Sequence, residues 1–293
     1  MKFKIEQDVK KCRRLWKEFS PKQELFDLWE YRYCFYQGYG YKPYFIVGSQ
    51  ENKVMGVLPL WYEEKRNFYT FFGGTFPEPN TFFAKNKADL GDFLKQCPPK
   101  TRLYYLDKKE RKYGPFTESD KKYFLDLKKY EDKIENYWLS FERKHRKNLR
   151  YDLKQFEKNK YDVRYNQVGD FEKMVSLNRK RFGKESDFEE KGMRVGMKKL
   201  MEVAEKRGEL EMTSILVEGK VEAVEMAIIY NNCYYVLASG HNLQVENIGK
   251  KMMVEHIRRA IEKRADRLDF LSSDSGWKKM WHMEEKELYE FKN

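Results

Sequence analysis

The sequence has few residues that could build a disulfide framework or a metal site. Its four cysteines form no C-x-x-C pair, and its four histidines show no metal-ligand spacing. These residues are Cys12, Cys34, Cys97, Cys233, His145, His241, His256 and His282. We therefore expect neither a disulfide-stabilised fold nor a bound metal.

Long apolar runs are also absent. The longest, such as "VMGVLPLWY", are far shorter than the span of about 20 residues that crosses a membrane. The first residues, "MKFKIEQDVKKCRRLW", contain no apolar signal-peptide core. These absences predict a cytoplasmic protein without a membrane span. At 293 residues and 41% hydrophobic content, the chain is long enough for two domains with cores of their own.

Positive charge is in excess, with a net charge of +12. It is densest at 141–160, "FERKHRKNLRYDLKQFEKNK", where helical spacing places Leu149, Leu153 and Phe156 on one face. The basic residues of this segment follow one another on another face: Arg143, Arg146 or Lys147, Arg150 and Lys154. The pattern predicts a helix with one core face and one face for a polyanion, or for solvent alone.

The two halves of the chain repeat one order of elements. Each has helices, then two strand-like runs around a short polar turn, then a helix and a strand. The paired runs are "FIVGSQENKVMGVLPLW" and "SILVEGKVEAVEMAIIY". We infer a pseudo-duplication with domains at 1–138 and 139–293, and two separate sheets.

A strand, a polar loop and a helix follow the second hairpin. The strand ends near Gly240, and the helix begins near Gly249 in "ENIGKKMM". Free N–H groups at the positive end of a helix dipole suit a pyrophosphate, and Lys250 and Lys251 add charge there. The alternative is a helix whose glycine only permits close packing.

The stretch "LDFLSSDSGWKKMW", at 268–281, places small polar residues before two tryptophans and two lysines. A surface loop uses Ser, Asp and Gly for its turn but has little need of Trp277 and Trp281. The composition indicates a shaped or ligand-binding segment.

These blocks occur in the order and approximate spacing of the FemAB-like branch of the GNAT acyltransferase superfamily. The chain resembles more narrowly the acetyltransferase-6 group, which includes CelD-type proteins, from about residue 15 onward. The resemblance implies an α/β (α+β) fold made of a tandem pair of GNAT-like folds, each a mixed, mostly antiparallel sheet flanked by helices. The C-terminal fold of such proteins holds the acyl donor, and the acceptor binds in the cleft between the folds.

The implied activity is N-acyl transfer from acyl-CoA, a co-substrate, to an amine of a small or medium, anionic acceptor. No metal is expected. Glu225 is the candidate base, since alternation puts it between Ala223 and Ala227 on one strand face; a salt-bridged strand glutamate is the alternative. The donor residues are Tyr235, Asn247, Ile248, Gly249, Lys250 and Lys251. Backbone N–H groups after Tyr235 are the candidate oxyanion donors.

Lys278 is the second candidate catalytic residue, as a contact for the anionic acceptor or the acyl carbonyl. Its alternative is a lysine that lies over a tryptophan with its ammonium in solvent. Trp277 replaces the tyrosine usual in the family at this place. The candidate acceptor-binding residues are Asn80, Arg146, Arg150, Arg181, Asp274 and Trp277.

The loop "ENIGKK" keeps only Gly249 of the wider superfamily's pyrophosphate motif. Relatives that build peptidoglycan bridges use aminoacyl-tRNA, and the basic helix would suit that donor or a tRNA partner. The chain lacks the long helical hairpin that some of those enzymes carry, which favours acyl-CoA. A non-catalytic nucleic-acid-binding protein on a transferase fold is the third reading. The sequence leaves the oligomeric state open.

Overall fold

The computed structural model describes residues 1–272 and 276–293. Its contacts divide into two compact units, Met1–Lys122 with Glu285–Asn293, and Tyr123–Glu284. This division differs from the predicted boundary at 138/139. Residues 123–138 contribute Leu125, Leu127 and Tyr137 to the core of the second unit.

The first unit has an antiparallel sheet with helices beside it. The order of the sheet is β1-β2-β3-β4, and β5 pairs with β3. The helices are α1 (Val9–Phe19), α2 (Trp29–Tyr39) and α3 (Leu90–Lys95). The strands are β1 (Lys2–Glu6), β2 (Pro43–Gln50), β3 (Lys53–Glu63), β4 (Phe68–Phe71), β5 (Phe83–Ala84) and β6 (Arg102–Asp107).

The last strand of the chain, β13 (Glu284–Lys292), pairs antiparallel with β6. This pairing brings the C-terminal residues into the first unit, where Phe291 joins a core with Ile46, Leu58 and Phe93. A boundary drawn along the sequence misses this return, because strand pairing depends on partners far apart in the chain.

The second unit has a mixed sheet of β7-β12-β11-β10-β9-β8, in which β11 and β12 are parallel. Within this unit, residues 124–126 of β7 pair antiparallel with β12. The strands are β7 (Thr117–Asp126), β8 (Tyr161–Tyr165), β9 (Leu210–Val217), β10 (Lys220–Tyr230), β11 (Cys233–His241) and β12 (Arg267–Asp269). The helices are α4 (Ile134–Leu139), α5 (Arg143–Phe156), α6 (Phe171–Phe182), α7 (Lys191–Arg207) and α8 (Ile248–Glu262).

The two predicted hairpins lie in different sheets, β2–β3 in the first unit and β9–β10 in the second. Each has a two-residue turn with both residues at positive φ, Glu51–Asn52 and Glu218–Gly219. This is the turn geometry that matches the right-handed twist of paired strands. The predicted tandem arrangement of mostly antiparallel sheets with flanking helices is confirmed.

The predicted basic helix is α5. Leu149 and Phe156 are buried and Leu153 is half-buried, while Arg143, Lys147, Arg150 and Lys154 are exposed. Across the part of the chain that the structure describes, no helix is both long and apolar enough to span a bilayer. All four cysteines are buried and free.

One glycine sets how closely α6 packs on β11. A Cβ at Gly240 would lie 2.2 Å from the carbonyl oxygen of Met174 and 3.0 Å from the backbone nitrogen of Asn178. The Asn178 amide also donates a 2.6 Å hydrogen bond to the Ser239 carbonyl. The absence of a side chain at Gly240 therefore lets α6 lie directly against the end of β11.

Candidate functional site

The second unit presents the first turn of α8 shortly after β11 ends. Asn247 is the N-cap, at φ +61°, and its side chain makes no capping hydrogen bond to the helix. Ile248 is buried in the core, whereas Gly249 is exposed. A helix start that lacks a side-chain cap keeps N–H groups and the positive end of the dipole for an anion, as expected from the sequence.

The two predicted donor lysines lie in different surroundings. Lys250 is half-buried, and its Nζ lies 2.6 Å from Oδ2 of Asp152 and 3.1 Å from Oδ1 of Asn247. Lys251 is buried, with its Nζ 2.9 Å from Oε1 of Glu255 and above the ring of Tyr161. Only Lys250 therefore has its ammonium at the start of the helix.

The strands β11 and β12 separate after three paired residues. Cys233, Tyr234 and Tyr235 pair with residues 267–269, and within the described chain β12 ends there. The strand β11 continues on β10 to His241. The register between β11 and β10 shifts by one residue: Val236 pairs with Ala227, the next pair is Ala238 with Met226, and residue 237 is skipped.

Residue 237 thus forms a bulge, and beyond Tyr235 the edge of β11 that faces away from β10 is not paired with β12. The Tyr235 side chain itself is buried, and its role in a donor site stays a prediction. N–H groups along such an edge are suited to bind the carbonyl oxygen of a thioester.

Glu225 lies in β10 between two histidines. Its Oε1 is 2.5 Å from Nε2 of His241, and its Oε2 is 2.5 Å from Nε2 of His256. The contact with His256 has hydrogen-bond geometry, whereas the angle at His241 Nε2 departs from it. Nδ1 of His256 lies 3.2 Å from the hydroxyl of Tyr234.

These contacts determine the protonation of the carboxylate. Burial by itself raises the pKa of Glu225, but the two imidazoles outweigh burial and hold the pKa well below its usual range. Burial raises the pKa of the Tyr234 phenol well above its ordinary value. The carboxylate is therefore ionised and faces both imidazoles, as in the salt-bridged alternative, and its role as a base stays a prediction.

The group does not resemble a metal site. Each of the two Nε2 atoms faces one oxygen of Glu225, so the nitrogens do not converge on a common point. Within 1–272 and 276–293, no three His, Cys, Asp or Glu side chains are arranged to hold a metal ion.

Lys278 lies in a 3-10 helix, Lys278–Trp281, and is 3% exposed. Its Nζ donates to three backbone carbonyls, those of Phe270 (2.9 Å), Leu271 (3.3 Å) and Ser272 (2.8 Å). The ammonium also lies 4.7 Å above the ring of Tyr123. Lys278 therefore holds the chain that follows β12. The Lys278 ammonium is buried. In the alternative, a lysine that only lies over a tryptophan, the ammonium would be in solvent.

The neighbouring predicted residues differ in position. Trp277 is half-buried and packs edge-on against Phe270, with the ring centroids 5.5 Å apart. Trp281 is buried, and its carbonyl accepts a 2.6 Å hydrogen bond from the hydroxyl of Tyr137. Asp274 lies outside the described residues.

The predicted acceptor residues do not form one group in either unit. Arg146 donates to the carbonyls at the end of α4, and Arg181 lies exposed above the ring of Phe182. Arg150 is exposed. Asn80 belongs to the first unit and is buried, where it accepts from the guanidinium of Arg32. Acceptor binding by Asn80 and by the arginines stays a prediction.

His241 and His256 are the site residues that the sequence analysis missed. The spacing of the histidines along the chain indicates no metal site, and it does not show that two of them meet Glu225. A usable signal existed for His256, which lies eight residues after Ile248 and four after Met252, on the apolar stripe of α8. A titratable residue in such a stripe needs a buried partner, and Glu225 provides it.

The comparisons with known proteins agree with this geometry. The family model described as an acetyltransferase (GNAT) domain matches residues 143–279. The chain is similar in structure to FemX, with a TM-score of 0.62, 11% identity, and 100% of this chain and 98% of the other covered. A search of curated proteins found no match.

Two further solved structures share the fold. One is a tandem GNAT protein from the clavulanic acid biosynthesis pathway, with a TM-score of 0.56, 8% identity, and 99% and 98% of the two chains covered. The other is L-PGS from Bacillus licheniformis, with a TM-score of 0.59, 11% identity, and 97% and 91% covered. At these identities the likeness establishes the fold.

Residues 143–279 match the model of a GNAT-type acetyltransferase domain, and the chain shares its fold with FemX and with a tandem GNAT protein. The resemblance found in the sequence is confirmed. The matched residues lie within the second unit, Tyr123–Glu284.

Proposed function

We propose that this protein is an N-acyltransferase that moves an acyl group from acyl-CoA to an amine of a small or medium, anionic acceptor. One observation carries the proposal. Within the GNAT domain, the edge of β11 that leaves β12 after Tyr235 leads to the exposed first turn of α8 at Gly249.

This arrangement fits the shape of coenzyme A. The residues from Val236 to His241 continue β11 for about 20 Å beyond the last pair with β12. An extended pantetheine can pair with this edge as an added strand does, because its amide groups are donors and acceptors. Its pyrophosphate then reaches the start of α8, where N–H groups and the helix dipole favour an anion.

The chemistry requires a C–N bond to form as a C–S bond breaks. The amine nitrogen attacks the thioester carbonyl and loses its proton. The tetrahedral intermediate then expels CoA as a thiolate, which is protonated. N–H groups at the bulge of β11 are placed to stabilise the oxyanion. Glu225 stays the predicted base, and its contacts with two imidazoles support the alternative of a salt-bridged strand glutamate.

A second donor, aminoacyl-tRNA, is supported by one feature. The exposed row of Arg143, Lys147, Arg150 and Lys154 on α5 shows no ion pair with any described residue. Cations repeating along one helix face suit successive phosphates of a nucleic acid. FemX shares the fold, although at 11% identity the likeness does not extend to a substrate.

Nucleic-acid binding without catalysis is less favoured. Single-stranded nucleic acid is held in part by stacking of bases on exposed aromatic rings. In the basic segment Phe141 and Phe156 are buried, and Tyr151 is exposed at 62%. One exposed ring gives little stacking surface.

The donors can be separated by direct binding. Acetyl-CoA, longer acyl-CoAs, uncharged tRNA and aminoacyl-tRNA are titrated into the full chain by calorimetry at fixed salt. Saturable binding of an acyl-CoA, weakened little by salt, supports the proposal. If aminoacyl-tRNA alone binds, the donor is aminoacyl-tRNA and not acyl-CoA. If both tRNA forms bind and no acyl-CoA does, the protein is a nucleic-acid-binding protein.

Replacing Gly249 by Val is expected to weaken CoA binding by more than tenfold. A Cβ at this position would lie 3.6 Å from Nδ1 of His241, an ordinary contact, so Gly249→Ala should fold and bind nearly as the parent does. The two added methyl groups of Val cover the helix start, while its helix propensity costs less than about 1 kcal/mol. Calorimetry gives the affinities, and thermal unfolding checks the fold. Equal affinity in the Val and Ala variants would remove this turn from the donor site.

A further inference from the structure

His241 lies between the buried carboxylate and the start of α8. Its Nε2 faces Glu225, and its ring is 9% exposed. Its other nitrogen, Nδ1, lies 3.6 Å from the position that a Cβ on Gly249 would take. The imidazole is therefore nine-tenths buried, with Nδ1 directed at the first turn of the helix.

The two imidazoles next to Glu225 differ in what their Nδ1 atoms contact. Nδ1 of His256 has the hydroxyl of Tyr234 as its partner at 3.2 Å. Nδ1 of His241 has no hydrogen-bond partner among the described residues. Because each Nε2 lies 2.5 Å from an oxygen of the ionised carboxylate, Glu225 favours a proton on both Nε2 atoms and leaves Nδ1 of His241 as a lone pair.

The charges around His241 come from β10 and α8. Glu225 faces it on β10, where Glu222 is bound to the side chain of Asn242. On α8, His256 shares Glu225, and the ammonium of Lys250 lies at the helix start. The contacts of α6 with the end of β11 come from the uncharged residues Met174 and Asn178.

We propose that His241 is a pyrophosphate-binding residue of the donor site, whose Nδ1 takes up one proton when the pyrophosphate binds at the first turn of α8. The proposal rests on the proposed acyl-CoA donor and adds a residue and a pH dependence to it. The proton comes from solvent, and the resulting imidazolium donates from Nδ1 to a phosphate oxygen while its Nε2 faces Oε1 of Glu225 at 2.5 Å.

The physical reason is charge balance. Without the donor, an imidazolium at this place would have one anionic neighbour, Glu225, which already faces His256. A bound pyrophosphate adds negative charge on the opposite side of the ring, so the doubly protonated form then has an anion at each nitrogen. Imidazole is the side chain whose ordinary charge change lies between pH 5 and 8, so this is the range in which proton uptake is tested.

The test is calorimetric titration of CoA into the full chain at several pH values between 6 and 8. Each titration is done in two buffers with different ionisation enthalpies, so that the number of protons taken up can be calculated. We expect uptake of a fraction of a proton, up to one, and an affinity that falls as pH rises, by at most tenfold per pH unit. This measurement needs no variant.

His241→Gln keeps a hydrogen-bond donor but cannot become a cation. It should bind CoA about tenfold to a hundredfold more weakly at pH 6.5 and show neither uptake nor pH dependence. His282→Gln is the matched control, because His282 is exposed and contacts the ring of Phe141 instead. The control should retain both the affinity and the proton uptake.

The outcomes separate the two proposals. CoA binding without proton uptake, or with the same uptake in His241→Gln, overturns the role of His241 and leaves the acyl-CoA donor standing. If neither CoA nor inorganic pyrophosphate binds the parent protein, both proposals fail. Uptake that disappears in His241→Gln and persists in His282→Gln supports the inference.

Discussion

Glu225→Gln is expected to lower the free energy of unfolding at pH 7 by about 3 to 5 kcal/mol, the range for removing one partner of a buried ion pair. The carboxylate pairs with Nε2 of His256 in a hydrogen bond and lies 2.5 Å from Nε2 of His241, whereas an amide has one oxygen and one NH2 group. The NH2 group would face the Nε2–H of one histidine. His256 cannot easily change its tautomer, since its Nδ1 already has the hydroxyl of Tyr234 as its partner.

Glu222→Gln is the matched control on the same strand. Glu222 is half-buried and accepts one hydrogen bond, at 2.8 Å, from Asn242. We expect Glu222→Gln to lower the free energy of unfolding by no more than about 1 kcal/mol, because the amide oxygen can still accept the hydrogen bond from Asn242. Urea unfolding of the three proteins measures both values. Equal stabilities of the two variants would show that the imidazole pairs do not stabilise the fold.

The difference between parent and Glu225→Gln should depend on pH in one direction. The pKa of Glu225 is lower in the folded protein than its ordinary value of 4.5. The contribution of the carboxylate is therefore fully present above that value and is lost as pH falls toward the folded-state pKa. Unfolding curves between pH 3 and 7 should show the two stabilities converging at the acid end. A constant difference would contradict the lowered pKa.

Lys278→Met is expected to lower the free energy of unfolding by about 3 kcal/mol. Its ammonium donates to three carbonyls in a buried segment, and a hydrogen bond from a charged group contributes about 1.5 to 3 kcal/mol. The gain from no longer burying a charge offsets part of the loss. The segment includes Leu271 at φ +58°, a conformation that a leucine adopts only when its surroundings enforce it.

Lys279→Met tests the same change at an exposed neighbour and should stay within about 0.5 kcal/mol of the parent. A Lys278 in contact with substrate, as the sequence suggested, would instead lose activity at an unchanged melting temperature. Denaturant unfolding and the rate of CoA release from acyl-CoA, measured on the same samples, distinguish the structural role of Lys278 from the catalytic one. A Lys278→Met protein that is as stable as the parent but inactive would restore the catalytic reading.

Much of the fold was predictable because its signals are local. Both hairpins are recognisable from alternating strand residues around a two-residue polar turn, and the positive φ values at Glu51–Asn52 and Glu218–Gly219 agree with that pattern. The stripes of α5 and α8 predicted their buried faces, including Ile248 and Met252. The order of these elements also revealed the tandem GNAT arrangement, which the comparisons confirmed.

The placement of individual charged groups was less predictable. Lys250 and Lys251 are consecutive in α8, and their side chains leave the helix axis in directions about 100° apart. Which of the two ammonium groups reaches the surface depends on what each side chain contacts. Lys278 showed the same ambiguity, because a lysine beside tryptophans can lie over a ring or enter the interior. Its carbonyl partners, at 270–272, lie six to eight positions earlier in the chain, and no helix or strand periodicity predicts such a contact.

The sequence by itself determined the strands, helices and turns, since hydrophobic periodicity and turn chemistry act between residues close in the chain. Only the tertiary structure decided which distant groups meet. Glu225 and its two histidines come from β10, from the end of β11 and from α8, and β13 returns to pair with β6. Such contacts depend on strand register and helix packing, where a shift of one residue turns a side chain to the opposite face.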